Sequence, residues 1–83
     1  MPTYKIDFKK QAAKFIKGRT HTEQKRLLSE IYKLPNHKHV KKLEGYSNRY
    51  RLRVGNFRVI YDKLDEKLVI LVVSVGNRGD VYK

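Results

Sequence analysis

The sequence predicts an α+β fold of order β-α-α-β-β-β, a mainly antiparallel sheet with two N-terminal helices on one face. Three observations carry this prediction. Residues 49–61 alternate polar and apolar about Gly55-Asn56, a two-residue hairpin signal. Residues 68–75 form an almost wholly apolar run, the pattern of a buried strand. Between them and the amino terminus, residues 8–34 carry a helical period, so helices cluster ahead of the strands instead of alternating with them.

The elements follow in order. Residues 3–8 place Tyr4, Ile6 and Phe8 on one side and Lys5 and Asp7 on the other, which reads as a strand. Phe8, Ala12, Phe15 and Ile16 then make a helical stripe that Gly18 ends. Thr20 and Glu23 have the spacing of a capping box, and Leu27, Leu28, Ile31 and Leu34 continue an apolar face up to Pro35. Residues 36–48 show no clear period and are expected to be loop. The hairpin pairs Val54 with Phe57, Arg53 with Arg58, Leu52 with Val59, Arg51 with Ile60 and Tyr50 with Tyr61. Residues 62–67 read as a turn, and residues 68–75 as a central strand covered on both faces.

The chain has 83 residues, room for one domain and one core. It holds 20 Lys+Arg against 8 Asp+Glu, a formal net charge of +12, and self-repulsion on that scale calls for a polyanionic partner. Hydrophobic residues at 40% are too many for a disordered basic tail. The absence of cysteine removes disulfides, thiolate metal sites and cysteine nucleophiles. No signal-peptide stretch opens the chain and no window has the apolar length of a membrane span, so the expected location is the cytoplasm. Half of the net charge falls in residues 36–58, where Lys38, Lys41, Lys42, Arg49, Arg51, Arg53 and Arg58 stand against Glu44.

Alternation localises that charge further. Tyr50, Leu52, Val54, Phe57, Val59 and Tyr61 share the face that floors the helices, and Arg49, Arg51, Arg53 and Arg58 share the other with no carboxylate among them. Like charges opposed across a strand pair cost tenths to about 1 kcal/mol each. Such a face serves as a solvated, aggregation-resistant surface or, more specifically, as a grip on phosphates, whose oxygens the guanidinium fork matches. Lys41 and Lys42, just ahead of the hairpin, join Arg49 as further nucleic-acid-binding candidates. Arg78 follows the last strand on a glycine-flanked turn, and Tyr82 is placed to stack on a base, to act through its phenol or to tie down the tail. His21, His37 and His39 have no nearby acidic cluster and read as surface histidines, with no metal site among them.

Leu43-Glu44-Gly45, Tyr50-Arg51-Leu52-Arg53, Phe57-Arg58-Val59-Ile60-Tyr61, Val73-Ser74-Val75-Gly76-Asn77-Arg78 and Val81-Tyr82 together resemble the RelE branch of the RelE/ParE toxin superfamily. The resemblance implies a RelE-like fold and a toxin of a toxin–antitoxin pair, held inactive by a cognate antitoxin, which cleaves mRNA in the ribosomal A site. By position it implies that Arg51 and Arg53 stand for the basic pair of the first hairpin strand and Arg58 for the transition-state arginine. Arg78 and Tyr82 complete the catalytic set. It implies attack of the 2′-hydroxyl on phosphorus, with neither metal nor other cofactor.

One departure bears on the chemistry. The best-known pattern has lysines at the two hairpin positions, and an arginine, unlike a lysine, cannot give up its proton. Arg51 and Arg53 are therefore phosphate clamps, and Tyr82 is left as the base or as the residue that orients the nucleotide. Two other readings stand beside this one, a non-catalytic RNA- or ribosome-binding module on the same scaffold and the gyrase-poisoning ParE branch.

Overall fold

The computed structural model describes residues 3–77, so Arg78 and Tyr82 lie outside the described residues. The elements are β1 (Lys5–Phe8), α1 (Lys10–Lys17), α2 (His21–Ile31), β2 (Val40–Lys42), β3 (Arg49–Val54), β4 (Phe57–Leu64) and β5 (Val69–Asn77). They form one five-stranded sheet in the order β1-β5-β4-β3-β2. β1 pairs with β5 in parallel, and every other pairing is antiparallel.

Local chemistry explains the helices. α1 closes at Gly18, with Lys14 and Lys17 in its last turn, where positive charge complements the helix dipole. α2 opens with the expected capping box: the Thr20 hydroxyl accepts from the Glu23 N–H, and the Glu23 carboxylate accepts from the Thr20 N–H. The helix ends at Ile31, earlier than Pro35 suggests, because a proline disfavours helical geometry at the residue before it. Residues 32–36 instead make tighter turns, with Leu34 N–H bonded to the Ile31 carbonyl and its side chain buried.

Both helices lie on the face made by Leu52, Val54, Phe57, Val59, Tyr61, Ile70, Val72 and Val75, and they contribute Ala12, Ile16, Leu27 and Ile31 to that core. Tyr61 is fully buried and stacks on Tyr50 with ring centroids 5.5 Å apart. Burial there pushes the Tyr61 hydroxyl well above its ordinary range. Beyond the end of β1 the free edge of β5 is taken up by Gln11, whose amide nitrogen donates to the Val75 carbonyl and whose amide oxygen accepts from the Val75 N–H.

The hairpin register is as read from the sequence, residue for residue from Tyr50–Tyr61 to Val54–Phe57. Gly55 has φ of +55° and Asn56 has none of the left-handed character, the signature of a turn whose first central residue must be glycine. Three expectations are corrected. Part of residues 36–48 is strand, since β2 adds antiparallel to β3. β4 runs on to Leu64 instead of stopping at Tyr61. The strand at the centre is β4, and β5 is covered on one face only: Ile70, Val72 and Val75 are buried under the helices, while Val69, Leu71 and Val73 on the rest of the strand stay half-buried. A bulge explains the unbroken apolar run. Ile60 pairs with Ser74 and Tyr61 with Val72, leaving Val73 as the extra residue, so β5 changes phase in mid-strand and needs apolar residues in both phases.

Candidate catalytic and RNA-binding face

Cross-strand partners share a face, so the pairings define the open side of the sheet. One row across it runs Lys41, Arg51, Ile60 and Ser74. The next runs Arg53, Arg58 and Gly76. Arg51, Arg53 and Arg58 are thus brought together, as alternation predicts, and β2 adds Lys41 to them, with Arg53 exposed and Arg51 and Arg58 half-buried. Gly76 finishes the second row, and among the described residues an added Cβ there would meet nothing within 4 Å. Beside these rows, Lys38, His39, Val40, Lys41, Arg51 and Arg53 line a cleft of about 140 Å³.

Two of the candidates part from the group. Arg49 was expected among guanidiniums with no carboxylate near them, but Asp62 stands directly across from it. Arg49 Nε donates to Asp62 Oδ1 at 2.7 Å and its Nη2 to Oδ2 at 3.0 Å, while the guanidinium lies 4.8 Å from the Tyr46 ring centre. The hydrogen bonds to Asp62 raise the Arg49 pKa further, and its charge is already neutralised within the fold. The physical reason is the extra length of β4, which carries Asp62 into the ladder. Lys42 pairs with Tyr50, a residue of the helix-side face, so it points away from the arginines although Lys41 points toward them.

The histidines are not all surface residues. The His37 side chain is 5% exposed, and its Nε2–H donates to Glu30 Oε1 at 2.9 Å. His37 Nδ1 accepts the backbone N–H of His39 at 3.0 Å, which fixes the orientation of the ring. Lys33 donates to the other Glu30 oxygen at 2.8 Å. These bonds from Lys33 and His37 hold the Glu30 carboxyl at about 2, well below its usual 4.5. A larger cleft of about 400 Å³ opens between α2 and the hairpin tip, lined by Arg26, Glu30, His39, Arg53, Val54 and Gly55. Sequence reading missed Asp62 and the Glu30–His37 pair. Asp62 was within reach of it, lying in phase with Arg58 and Ile60. Among the described residues no three His, Asp or Glu side chains converge as a metal-binding group, and no helix is long and apolar enough to cross a membrane.

A family model for the ParE toxin of type II toxin–antitoxin systems (parDE) matches residues 4–82. The mRNA interferase toxin RelE of Escherichia coli K12 is 38% identical over 86 residues, covering 95% of this chain and 90% of the relative. The isolated E. coli RelE toxin superposes with a TM-score of 0.74 at 30% identity, covering 90% of this chain and 84% of that one. The toxin in the archaeal RelE–RelB complex of Pyrococcus horikoshii OT3 gives 0.77 at 32% identity, covering 93% and 97%. The order of elements, the paired arginine hairpin and these likenesses lead to one conclusion: the chain belongs to the RelE/ParE superfamily of type II toxins, and its relatives named here are RelE toxins.

Proposed function

We propose that this chain, as a single RelE-like toxin domain over residues 1–83, is the toxin of a toxin–antitoxin pair and a metal-independent endoribonuclease that cuts mRNA in the ribosomal A site and so stops translation in the cytoplasm. The observation that carries this is the register that sets Arg53 across from Arg58 with Arg51 beside them. Those are the positions at which the RelE resemblance puts cleaving residues, and the relative at 38% identity is named an mRNA interferase.

The chemistry follows from the residue types. Arg51 and Arg53 clamp the phosphates flanking the scissile bond, and Arg58 stabilises the extra negative charge of the phosphorane as the 2′-oxygen attacks. The products are a cyclic phosphate and a 5′-hydroxyl. Arg78 adds a further cation and Tyr82 orients the nucleotide or takes a proton, roles assigned from the resemblance alone. Lys41 extends the RNA track. An antitoxin with an acidic, amphipathic segment suits the +12 chain, and a groove of about 260 Å³ over Phe8, Ala13, Ile16, Lys17, Gln24 and Leu28 offers such a segment an apolar seat on the helix side.

The ParE name of the matching family model keeps the gyrase reading in view. Mapping of mRNA cuts on translating ribosomes decides among the readings. Wild type is expected to cut within codons, and Arg58→Ala to cut at least 10²-fold more slowly. Translation blocked without cuts would leave the binding module, and inhibited DNA supercoiling with translation intact would favour the gyrase branch.

A further inference from the structure

Arginines bind and polarise a phosphate, but they do not remove the proton of the attacking 2′-hydroxyl. That leaves the RNA-cleaving face short of a base among its described residues. Lysine as a residue type ordinarily titrates far above neutrality, and Asp62 is engaged by Arg49.

One imidazole sits in the row. β2 and β3 pair so that Val40 opposes Leu52 and Lys41 opposes Arg51. The ladder extends one residue further, because Arg53 N–H donates to the His39 carbonyl at 3.0 Å. His39 is therefore the neighbour of Arg53 in the row Arg53, Arg58, Gly76, in phase with Lys41 and exposed at the sheet edge. It borders both the 140 Å³ cleft that holds Arg51 and the 400 Å³ cleft under the hairpin tip. The second half of the bond pair expected at that position is replaced: the His39 N–H goes to His37 Nδ1, and His37 is anchored to Glu30. The two imidazole rings lie 5.7 Å apart. A half-buried carboxylate–imidazole pair thus anchors the main chain at His39 at the end of the strand.

We propose that His39 is the general base of RNA cleavage, a reading that rests on the endoribonuclease function proposed above and leaves Tyr82 to orient the nucleotide. In the step, a neutral ring nitrogen of His39 takes the 2′-hydroxyl proton as the 2′-oxygen bonds to phosphorus. The bond from phosphorus to the 5′-oxygen breaks, and that oxygen leaves with the bonding electron pair and takes a proton from solvent. His39 then returns its own proton to solvent. The charged and titratable groups lining the clefts beside His39 are Arg51 and Arg53 from β3, Lys38 and Lys41 from its own segment, Arg26 and Glu30 from α2, and Lys33 and His37 from the turns after it. Arg58 is one strand further across the row. Histidine is the side-chain type here whose ordinary titration falls near neutrality, so wild type should lose rate toward acid pH.

The test is single-turnover cleavage of end-labelled mRNA on programmed ribosomes from pH 5.5 to 8.5, with wild type, His39→Ala, His39→Gln and Tyr82→Phe. Circular dichroism and the unfolding midpoint check the fold of each. Both His39 variants are expected to cut about 10²–10⁴-fold more slowly, to bind ribosomes within a few-fold of wild type and to lose the acid limb of the profile. Added imidazole should restore part of the His39→Ala rate. The assignment is overturned if His39→Ala cuts within threefold of wild type, if its loss matches a loss of ribosome binding, or if the acid limb persists in it but vanishes in Tyr82→Phe. Failure of the wild type itself to cut mRNA would strike the endoribonuclease reading, and it is visible before any variant is made.

Discussion

At the scale of single residues, the open face divides its cations between two tasks. Arg49 belongs to the fold: its two hydrogen bonds to Asp62 are charge-assisted and partly shielded, a class worth about 1.5–3 kcal/mol when fully made. Arg49→Gln is expected to lower stability in urea by about 1 kcal/mol and to leave the cleavage rate at saturating ribosome within threefold, whereas Arg58→Ala should do the reverse. Gly76 bears on function through its lack of a side chain. Gly76→Val puts bulk into open space at the end of the Arg53–Arg58 row, so cleavage should fall at least tenfold with the unfolding midpoint unchanged or raised. Glu30 gives a pH dependence whose sign is fixed. Its carboxyl is held at about 2 by Lys33 and His37, below the unfolded value near 4.5. The stabilisation is therefore complete above pH 4.5 and lost as pH falls toward 2. Thermal midpoints measured across that window should drop less steeply in Glu30→Gln than in wild type.

At the scale of elements, the parts legible in the sequence are those whose chemistry is local. Thr20 and Glu23 announce α2, and Thr20→Ala should cost about 0.5–2 kcal/mol in a denaturation experiment. Gly55-Asn56 fixes the hairpin register because a two-residue loop permits one pairing, and that register alone assembles Arg51, Arg53 and Arg58. What escaped reading depends on partners far along the chain. β2 is three residues long, has no period of its own and exists because β3 offers it an edge. The far end of β4 is hidden because Lys63 occupies a helix-side position where alternation calls for an apolar residue, and its ammonium instead lies 5.9 Å from the Tyr4 ring centre. With β2 and the end of β4 unread, His39 and Asp62 were not placed on the face, so the arginine cluster was visible in the sequence and its neighbours were not.

At the scale of the whole molecule, charge is distributed by face. The helix side carries scattered lysines, and the hairpin end of the open face gathers guanidiniums, while Asp7 and Asp62 occupy the same face toward β1. Binding to a single-stranded RNA oligonucleotide should weaken steeply with salt, and Arg53→Ala should make the slope of log affinity against log salt shallower by about 0.7, the value of one phosphate contact. Order along the chain has a further consequence. Among the described strands β1 pairs with β5 alone, and β4, at the centre, is flanked by β3 and β5. Residues 69–77 therefore complete both the first strand's pairing and the middle strand's second edge. While a ribosome is still making this chain, β1 has nothing to pair with until those residues emerge, and the arginine hairpin has no sheet behind it. The five-stranded sheet is thus closed last in synthesis, and its long-range parallel β1–β5 pairing is expected to form more slowly than the local hairpin that carries the arginines.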